Sequence, residues 1–408
     1  MNKSTFFAGQ PIFTQLAKLL PKHIISNAVR DHDADKYCKK FDTWHHLITM
    51  LYACYQQCTS LREITTGMRA CEGRLQSLGI KHLPARSTFA EANARRDYKV
   101  FEQIYLKVYA HYKHVFPDSH CSDQHKKVVI VDSTSISLFK EIMQGNGSTN
   151  INGRKKGGVK VHTAMLAHED VPFFIDLTRQ SQADVSFLAK LQVPANSIVL
   201  LDRGYNNYNK FYEWQTKQID WVTLKRADAS IEITGTNEVD DEESAAGVIR
   251  DELITMGSRK SRSTLVQCRL VTYYVADKDA TLQFVTNNKE WKASKVAALY
   301  KGRWQIELLF KRLKQNMPLQ YFLGDNENAI KAQIYCVLIA DLLLKISIHS
   351  VKRKWAFSNI TCLVRLHLMN YTDLLKFLEN PEKASILNPM PQNNSPQLHL
   401  FRDTWACY

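Results

Sequence analysis

Apolar positions recur on a helical period from the N-terminus to about residue 124. Phe13, Leu16, Leu19 and Leu20 make one apolar face, and Trp44, Leu47, Leu51 and Cys54 make another. Ser60, with Glu63 at the capping-box position, predicts a helix running toward Leu75 that Gly79 stops. Pro84-Ala85-Arg86-Ser87-Thr88-Phe89 predicts the start of a second helix, with Arg95, Arg96 and Lys99 on its exposed side. A helix, a turn and a basic helix resemble a DNA-reading helix-turn-helix arrangement. A helical bundle with a solvated charged face gives the same pattern.

Near residue 128 the periodicity changes. Val128-Val129-Ile130-Val131 is a β-branched run ending in Asp132-Ser133-Thr134, which reads as a buried strand with a carboxylate at its end. Strands follow at Gly158 to Leu166, with Lys160 and His162 on one face, and at Pro172 to Leu177. Ile198-Val199-Leu200-Leu201 is a second apolar strand, again ending in a carboxylate, in Asp202-Arg203-Gly204-Tyr205; Trp221 to Lys225 is one more. A helical stretch around Asp184 to Leu191 makes the layout mixed α/β.

From Ala227 to about Ala280, turn residues and the acidic run Asp240 to Glu243 punctuate short strands such as Leu265 to Val275. Ser258 to Ser263 reads as a basic hairpin within this all-β insertion. Helix resumes from Lys292 to Asn316, then at Asn328 to Val351 and Tyr371 to Leu378. The pattern predicts a helical domain over 1–124 and a mixed α/β unit in two parts, 125–227 and 286–380. Between them lies the insertion at 228–285, and a loosely ordered polar tail occupies 381–408.

Composition narrows the function classes. Among 408 residues, 54 Lys and Arg face 40 Asp and Glu, a net charge of +14, which favours polyanionic partners and nucleic acid first. A hydrophobic content of 45% excludes a disordered or fibrous chain. No run approaches the ~18 apolar residues that a membrane span needs. Ile334 to Leu344, broken by Asp341, fits a buried helix, and Phe6-Phe7-Ala8 is interrupted at once by Gly9-Gln10-Pro11. A soluble, cytoplasmic protein is expected. Nine cysteines without CxxC pairs argue against a disulfide framework. Cys54 and Cys58, with His45 and His46 upstream, raise a zinc site, but they interleave with Leu47, Leu51 and Leu61 as small core residues do.

Two buried strands thus each deliver an aspartate, Asp132 and Asp202. Hard divalent ions such as Mg2+ take carboxylate oxygens and suit phosphate substrates. A third carboxylate is expected from a helix, and Glu307 is the candidate. At about 100° per residue, Tyr300, Arg303, Glu307 and Lys314 fall within an arc of roughly 60°, joined by Lys311, with Leu299, Ile306, Leu309 and Leu313 opposite. A phenol, a guanidinium, a carboxylate and an ammonium on one stripe suit a phosphate backbone beside a metal. Alone, an Asp after a strand is ordinarily a turn residue, and a basic helix is ordinarily a solvated face. Asp176, inside a strand, and Asp184, at a helix start, read as structural.

Tyr300, Arg303, Glu307 and Lys314, spaced Tyr-x2-Arg-x3-Glu-x6-Lys, resemble the YREK signature of the insertion-sequence-four family of DDE transposases. Asp132-Ser133-Thr134 and Asp202-Arg203-Gly204-Tyr205 resemble that family's two catalytic aspartate segments, and Gly157 to His162 and Arg303-Trp304-x-Ile306-Glu307 match as well. The resemblance covers roughly residues 1 to 375. It implies a ribonuclease-H-like core interrupted by a β-strand insertion. It also implies Asp132, Asp202 and Glu307 as catalytic and metal-ligating residues for two Mg2+ ions, with Mn2+ as a substitute. Tyr300, Arg303, Lys314 and Lys160 would face DNA at the core, and Arg95 and Arg96 in the N-terminal region.

The activity implied is cutting at the terminal inverted repeats of the chain's own element and joining the freed ends to target DNA. The partners implied are DNA and a second copy on it, with no membrane, at the bacterial nucleoid. In several members an insertion tryptophan holds a flipped base during hairpin formation. Here the strand Thr281 to Thr286 carries none, leaving Phe284 or Trp291 as the stacking residue. An inactive, transposase-derived DNA-binding protein and a stand-alone metal-dependent nuclease are the alternatives.

Overall fold

The computed structural model describes residues 9–117, 120–121, 126–137, 158–182, 184–257, 264–319 and 321–384. The expectations for Phe6 to Ala8, Gly157, the basic hairpin Ser258 to Ser263 and the tail beyond 384 lie outside these residues.

The run of β-branched residues after residue 126 forms the centre of a ten-stranded sheet. A two-residue strand, β1 (His120–Cys121), pairs with β2 (Lys126–Ser137). β3 (Gly158–Leu166) and β4 (Pro172–Arg179) follow antiparallel, whereas β5 (Ser197–Leu201) and β6 (Asp220–Leu224) run parallel to β2. The order β4-β3-β2-β5-β6 is three antiparallel strands followed by two parallel ones, with α8 (Val185–Lys190) and α9 (Tyr208–Thr216) in the connections. This is a ribonuclease-H-like core.

The insertion continues the same sheet. β7 (Ile231–Thr236), β8 (Val248–Met256), β9 (Val266–Val275) and β10 (Ala280–Thr286) form an antiparallel meander that joins the core where β10 pairs with β6. Its short helix α10 (Asp241–Ala245) reaches across to the next helix, α11 (Ala293–Lys301). Glu243 accepts from the Ser294 backbone N–H at 2.7 Å and from its hydroxyl at 2.6 Å, satisfying a donor that the helix start leaves open.

Alternation along the central strands divides their side chains between two cores. Val129, Val131, Val199 and Leu201 pack with Phe187 of α8 and with Phe211 and Trp214 of α9. Val128, Ile130, Ile198 and Leu200 pack on the other side, against α12 (Trp304–Asn316) and α13 (Glu327–His349).

The N-terminal helices belong to that second core. They are α1 (Ile12–Ala17), α2 (Lys22–Asp31), α3 (Thr43–Gln56), α4 (Leu61–Ala70), α5 (Glu72–Leu75), α6 (Arg86–Arg95) and α7 (Lys99–Tyr112). α1, α3, α6 and α7 all pack on α13, which carries the buried Ile334–Leu344 run. Tyr98 stacks on Tyr335 at 6.1 Å, and Tyr335 donates to Glu102 at 2.6 Å. Cys54 and Cys58 lie in this core. α14 (Phe357–His367), α15 (Leu374–Glu379) and α16 (Pro381–Ala384) complete the described residues. Among the described residues no helix is long and apolar enough to cross a membrane.

Four local expectations change. The Ser60 hydroxyl does cap α4, but Glu63 returns its bond to the Thr59 N–H, at 2.7 Å. The second basic helix ends at Arg95, and Arg96 is extended (φ −67°, ψ 122°) before α7 starts. β2 does not end at Asp132, because β3 stays paired with it through Ser137↔Gly158. The helix expected over Lys292 to Asn316 breaks at Gly302-Arg303 into α11 and α12. Across the break the N–H groups of Gly302 and Arg303 bond three residues back, to Leu299 and Tyr300. A Cβ at position 302 would stand only 3.0 Å from the Leu299 carbonyl, a close approach that suits glycine.

Candidate active site

The two aspartates are brought together by the register of β2 and β5. The last parallel pair is Val131↔Leu201, so Asp132 and Asp202 each lie one residue beyond it, side by side. Alternation sends both toward the side where α12 packs.

Arg303, at the break before α12, reaches over this edge. Its guanidinium bonds Asp132 at 2.6 Å and Glu307, one helical turn on, at 2.7 Å. Asp132 also accepts from the Ser133 N–H at 2.7 Å. Burial pushes the Asp132 pKa up to about 6; Arg303 and the Ser133 bond oppose the rise, and the charges of Asp202 and Glu307 add to it. Asp132, Asp202 and Glu307 are thus electrostatically one cluster.

The stripe expected from a single helix is divided between two. Tyr300, on α11, is 8% exposed and packs against Phe284, and the Arg303 guanidinium lies 5.6 Å from its ring. Burial pushes its phenol up to about 12. The buried Tyr300 hydroxyl and the Arg303 Nε have no hydrogen-bond partner among the described residues. Lys311 and Lys314 are exposed along α12.

Lys160 is not free for DNA as the structure stands, because its ammonium pairs with Asp184 at 2.9 Å. Arg95 is exposed and paired with Glu91 at 2.7 Å. Arg96, expected on the exposed side, is 6% exposed. It donates to the Phe41 carbonyl at 2.8 Å and the Ala34 carbonyl at 3.3 Å, and bonds His46 at 3.0 Å, so it ties α3 to the α6–α7 junction. Phe284 (2% exposed) and Trp291 (4%) are both buried, so neither presents a stacking face. The exposed aromatic near the acids is Trp304, at 57%, with Leu308 exposed one turn on.

Sequence reasoning also missed what holds α12 in place. Gln305 accepts from the His168 N–H at 2.9 Å. Arg312, nearly buried, bonds both oxygens of Asp341 on α13, at 3.0 and 3.1 Å, and pairs with Asp170 in the β3–β4 turn. Lys345 pairs with the same Asp170. An Arg five residues after a candidate Glu carries no pattern that separates it from a surface charge.

The donor set fits a hard divalent cation: three carboxylates, two of them already sharing a cationic partner. Among the described residues no three His, Cys, Asp or Glu side chains converge on one point as they stand, since Arg303 occupies the space between Asp132 and Glu307.

The chain is similar in sequence to known transposases. The family described as "Transposase DDE domain" matches residues 123–343, and a domain of unknown function (DUF4372) matches residues 8–81. "Putative transposase y4zB" of Sinorhizobium fredii is 28% identical over 316 residues, 76% of this chain and 83% of the relative. "Putative transposase for insertion sequence element IS4SA" of Synechocystis is 25% identical over 70% of this chain and 78% of the relative. A solved structure of the piggyBac transposase synaptic complex with hairpin DNA covers 97% of this chain and 87% of its own, at 11% identity and a TM-score of 0.48.

Proposed function

The chain belongs to the transposase DDE domain family, whose match spans more than half its length, and from that premise we propose how it works. It binds the terminal inverted repeats of its own insertion sequence, hydrolyses the phosphodiester backbone at the element ends, and joins the freed 3′ ends to target DNA. The observation that carries this reading is the pairing of Asp132 and Asp202 one residue beyond Val131↔Leu201, with Arg303 linking Asp132 to Glu307.

Asp132, Asp202 and Glu307 would hold two Mg2+ ions, or Mn2+ in their place. When bound, such ions activate the attacking oxygen and stabilise the leaving one. Arg303 exchanges carboxylate for backbone phosphate as DNA enters, because a guanidinium suits either oxyanion bidentately. The unpartnered Tyr300 hydroxyl offers a hydrogen bond near the cut, and Lys314 grips the backbone further along α12. Trp304, rather than Phe284 or Trp291, offers a stacking face for an unpaired base. Arg95, on the open side of α6, contributes to end binding. Two element ends require two copies of the chain, and the work is done in the cytoplasm, on the DNA.

The test incubates the full chain with Mg2+ and a labelled fragment carrying its own element end. End-specific nicking, lost in Asp202→Asn while binding persists, is expected. Binding without any cleavage by the unaltered chain would make it an inactive DNA-binding relative. Equal cutting of unrelated DNA would make it a nuclease.

A further inference from the structure

Alternation along β2 that sends Asp132 toward α12 sends Ser133 to the opposite face of the sheet. There the Ser133 hydroxyl lies 3.2 Å from a carboxylate oxygen of Asp184. Asp184 stands at the start of α8, as the sequence suggests, but its side chain makes no capping bond to that helix. It is held by Lys160 of β3, at 2.9 Å, and faces His162 at 3.6 Å.

The segment after the second aspartate passes close to the same carboxylate. Arg203–Tyr205 turns tightly behind Asp202, and a Cβ on Gly204 would lie only 3.0 Å from the second Asp184 oxygen. One residue on, the Tyr205 hydroxyl bonds His162 at 3.1 Å, and the other ring nitrogen of His162 bonds Thr178 at 2.9 Å. The residues following both aspartates therefore converge on one carboxylate behind the sheet. Lys160 and His162, whose place in the Gly-Val-Lys-Val-His segment the candidate active site leaves unused, form its surroundings.

We propose that Asp184, braced by Lys160, is a positioning residue that fixes the spacing of Asp132 and Asp202 from behind. Ser133 is the link to the first, because its own N–H holds the Asp132 carboxylate at 2.7 Å. The Gly204 turn is the link to the second. The inference rests on reading Asp132 and Asp202 as the metal-holding pair. A brace of this kind acts as the outer shell of a metal site does, where loss of one partner lowers metal affinity about 10–100-fold without touching the ion.

The test is Mn2+ binding to the full chain, read by electron paramagnetic resonance, for the unaltered protein, Asp184→Asn, Ser133→Ala and Asp132→Asn. Asp184→Asn keeps the shape and loses the charge; Ser133→Ala removes one hydroxyl and leaves the Lys160 pair intact. Both are expected to bind Mn2+ about tenfold more weakly and to need correspondingly more Mn2+ for end cleavage. Their binding of the element end in EDTA should be unchanged, and Lys160→Arg should retain Mn2+ affinity. Unchanged Mn2+ affinity in Ser133→Ala and Asp184→Asn overturns the proposal. It would leave the cluster an ordinary ion pair if only the melting temperature falls, or a DNA contact if end binding weakens. If Asp132→Asn binds Mn2+ as the unaltered chain does, the reading of the aspartate pair itself fails, and the brace with it.

Discussion

Asp132→Asn should make the metal-free protein more stable at neutral pH while abolishing cleavage. The Asp132 side chain is 16% exposed, and burial, the largest influence, lifts its pKa from 3.8 to about 6 despite Arg303. The shift of about two pKa units corresponds to roughly 3 kcal/mol at 1.36 kcal/mol per unit, as an upper bound. Below about pH 3.8 both the folded and unfolded forms carry the proton, and the carboxyl costs nothing. As pH rises toward 6 the unfolded chain releases the proton that the folded chain keeps, so stability falls; above 6 the cost is complete. Asparagine never pays this ionisation term, and Arg303 still has Glu307 as a partner. Urea unfolding in EDTA should therefore show Asp132→Asn ahead by about 1–3 kcal/mol near pH 7.5 and level with the unaltered chain near pH 4. Millimolar Mg2+ should narrow or reverse the gap, because only the intact site gains stability from the ion. An unaltered chain more stable than Asp132→Asn near pH 7.5 in EDTA would mean that the Arg303 pair outweighs burial and that the carboxylate costs the fold nothing.

Other substitutions separate structural from functional charges. Arg312→Met leaves the buried Asp341 without its partner and should cost about 3–5 kcal/mol by denaturant unfolding, much of it recovered by adding Asp341→Leu. Arg96→Ala should cost about 3 kcal/mol in the same assay, for its bonds to Phe41, Ala34 and His46 are buried. Arg95→Ala should change stability by no more than about 0.5 kcal/mol and lower the salt slope of element-end binding by about one. Lys314→Ala should do likewise in a gel-shift titration, with cleavage reduced in proportion to end occupancy.

Much of the fold was legible because burial leaves a periodic trace. The apolar runs Val128–Val131 and Ile198–Leu201 mark strands buried on both faces, and they adjoin in parallel. The aspartate closing each run points to one side because alternation is a property of the backbone. What sequence could not supply is register and tertiary partners. Continuation of β2 to Ser137 depends on β3, which is close only in space. The break at Gly302-Arg303 leaves the apolar period uninterrupted, so that period was misleading about one continuous helix. Arg96 looks the same as Arg95 in sequence, yet a bend of one residue turns it inward among carbonyls. Asp184 sits where a cap belongs, and only the fold shows that it faces Ser133 and Lys160 instead. Arg312 and Asp170 are 142 residues apart and can be paired only once α12 is docked.

If the carboxylates of Asp132, Asp202 and Glu307 hold the ions that cut DNA, exchanging one ligand type should change which metal supports cleavage. Asp202→Cys tests it most directly, because a thiolate is a poor ligand for Mg2+ and a better one for Mn2+. On a labelled element end, Asp202→Cys is expected to bind normally, to leave the end uncut in Mg2+, and to recover cleavage in Mn2+. Asp202→Ala, with no ligand to offer, should stay inactive in both. Undiminished cleavage by either variant in Mg2+ would take Asp202 out of the metal site.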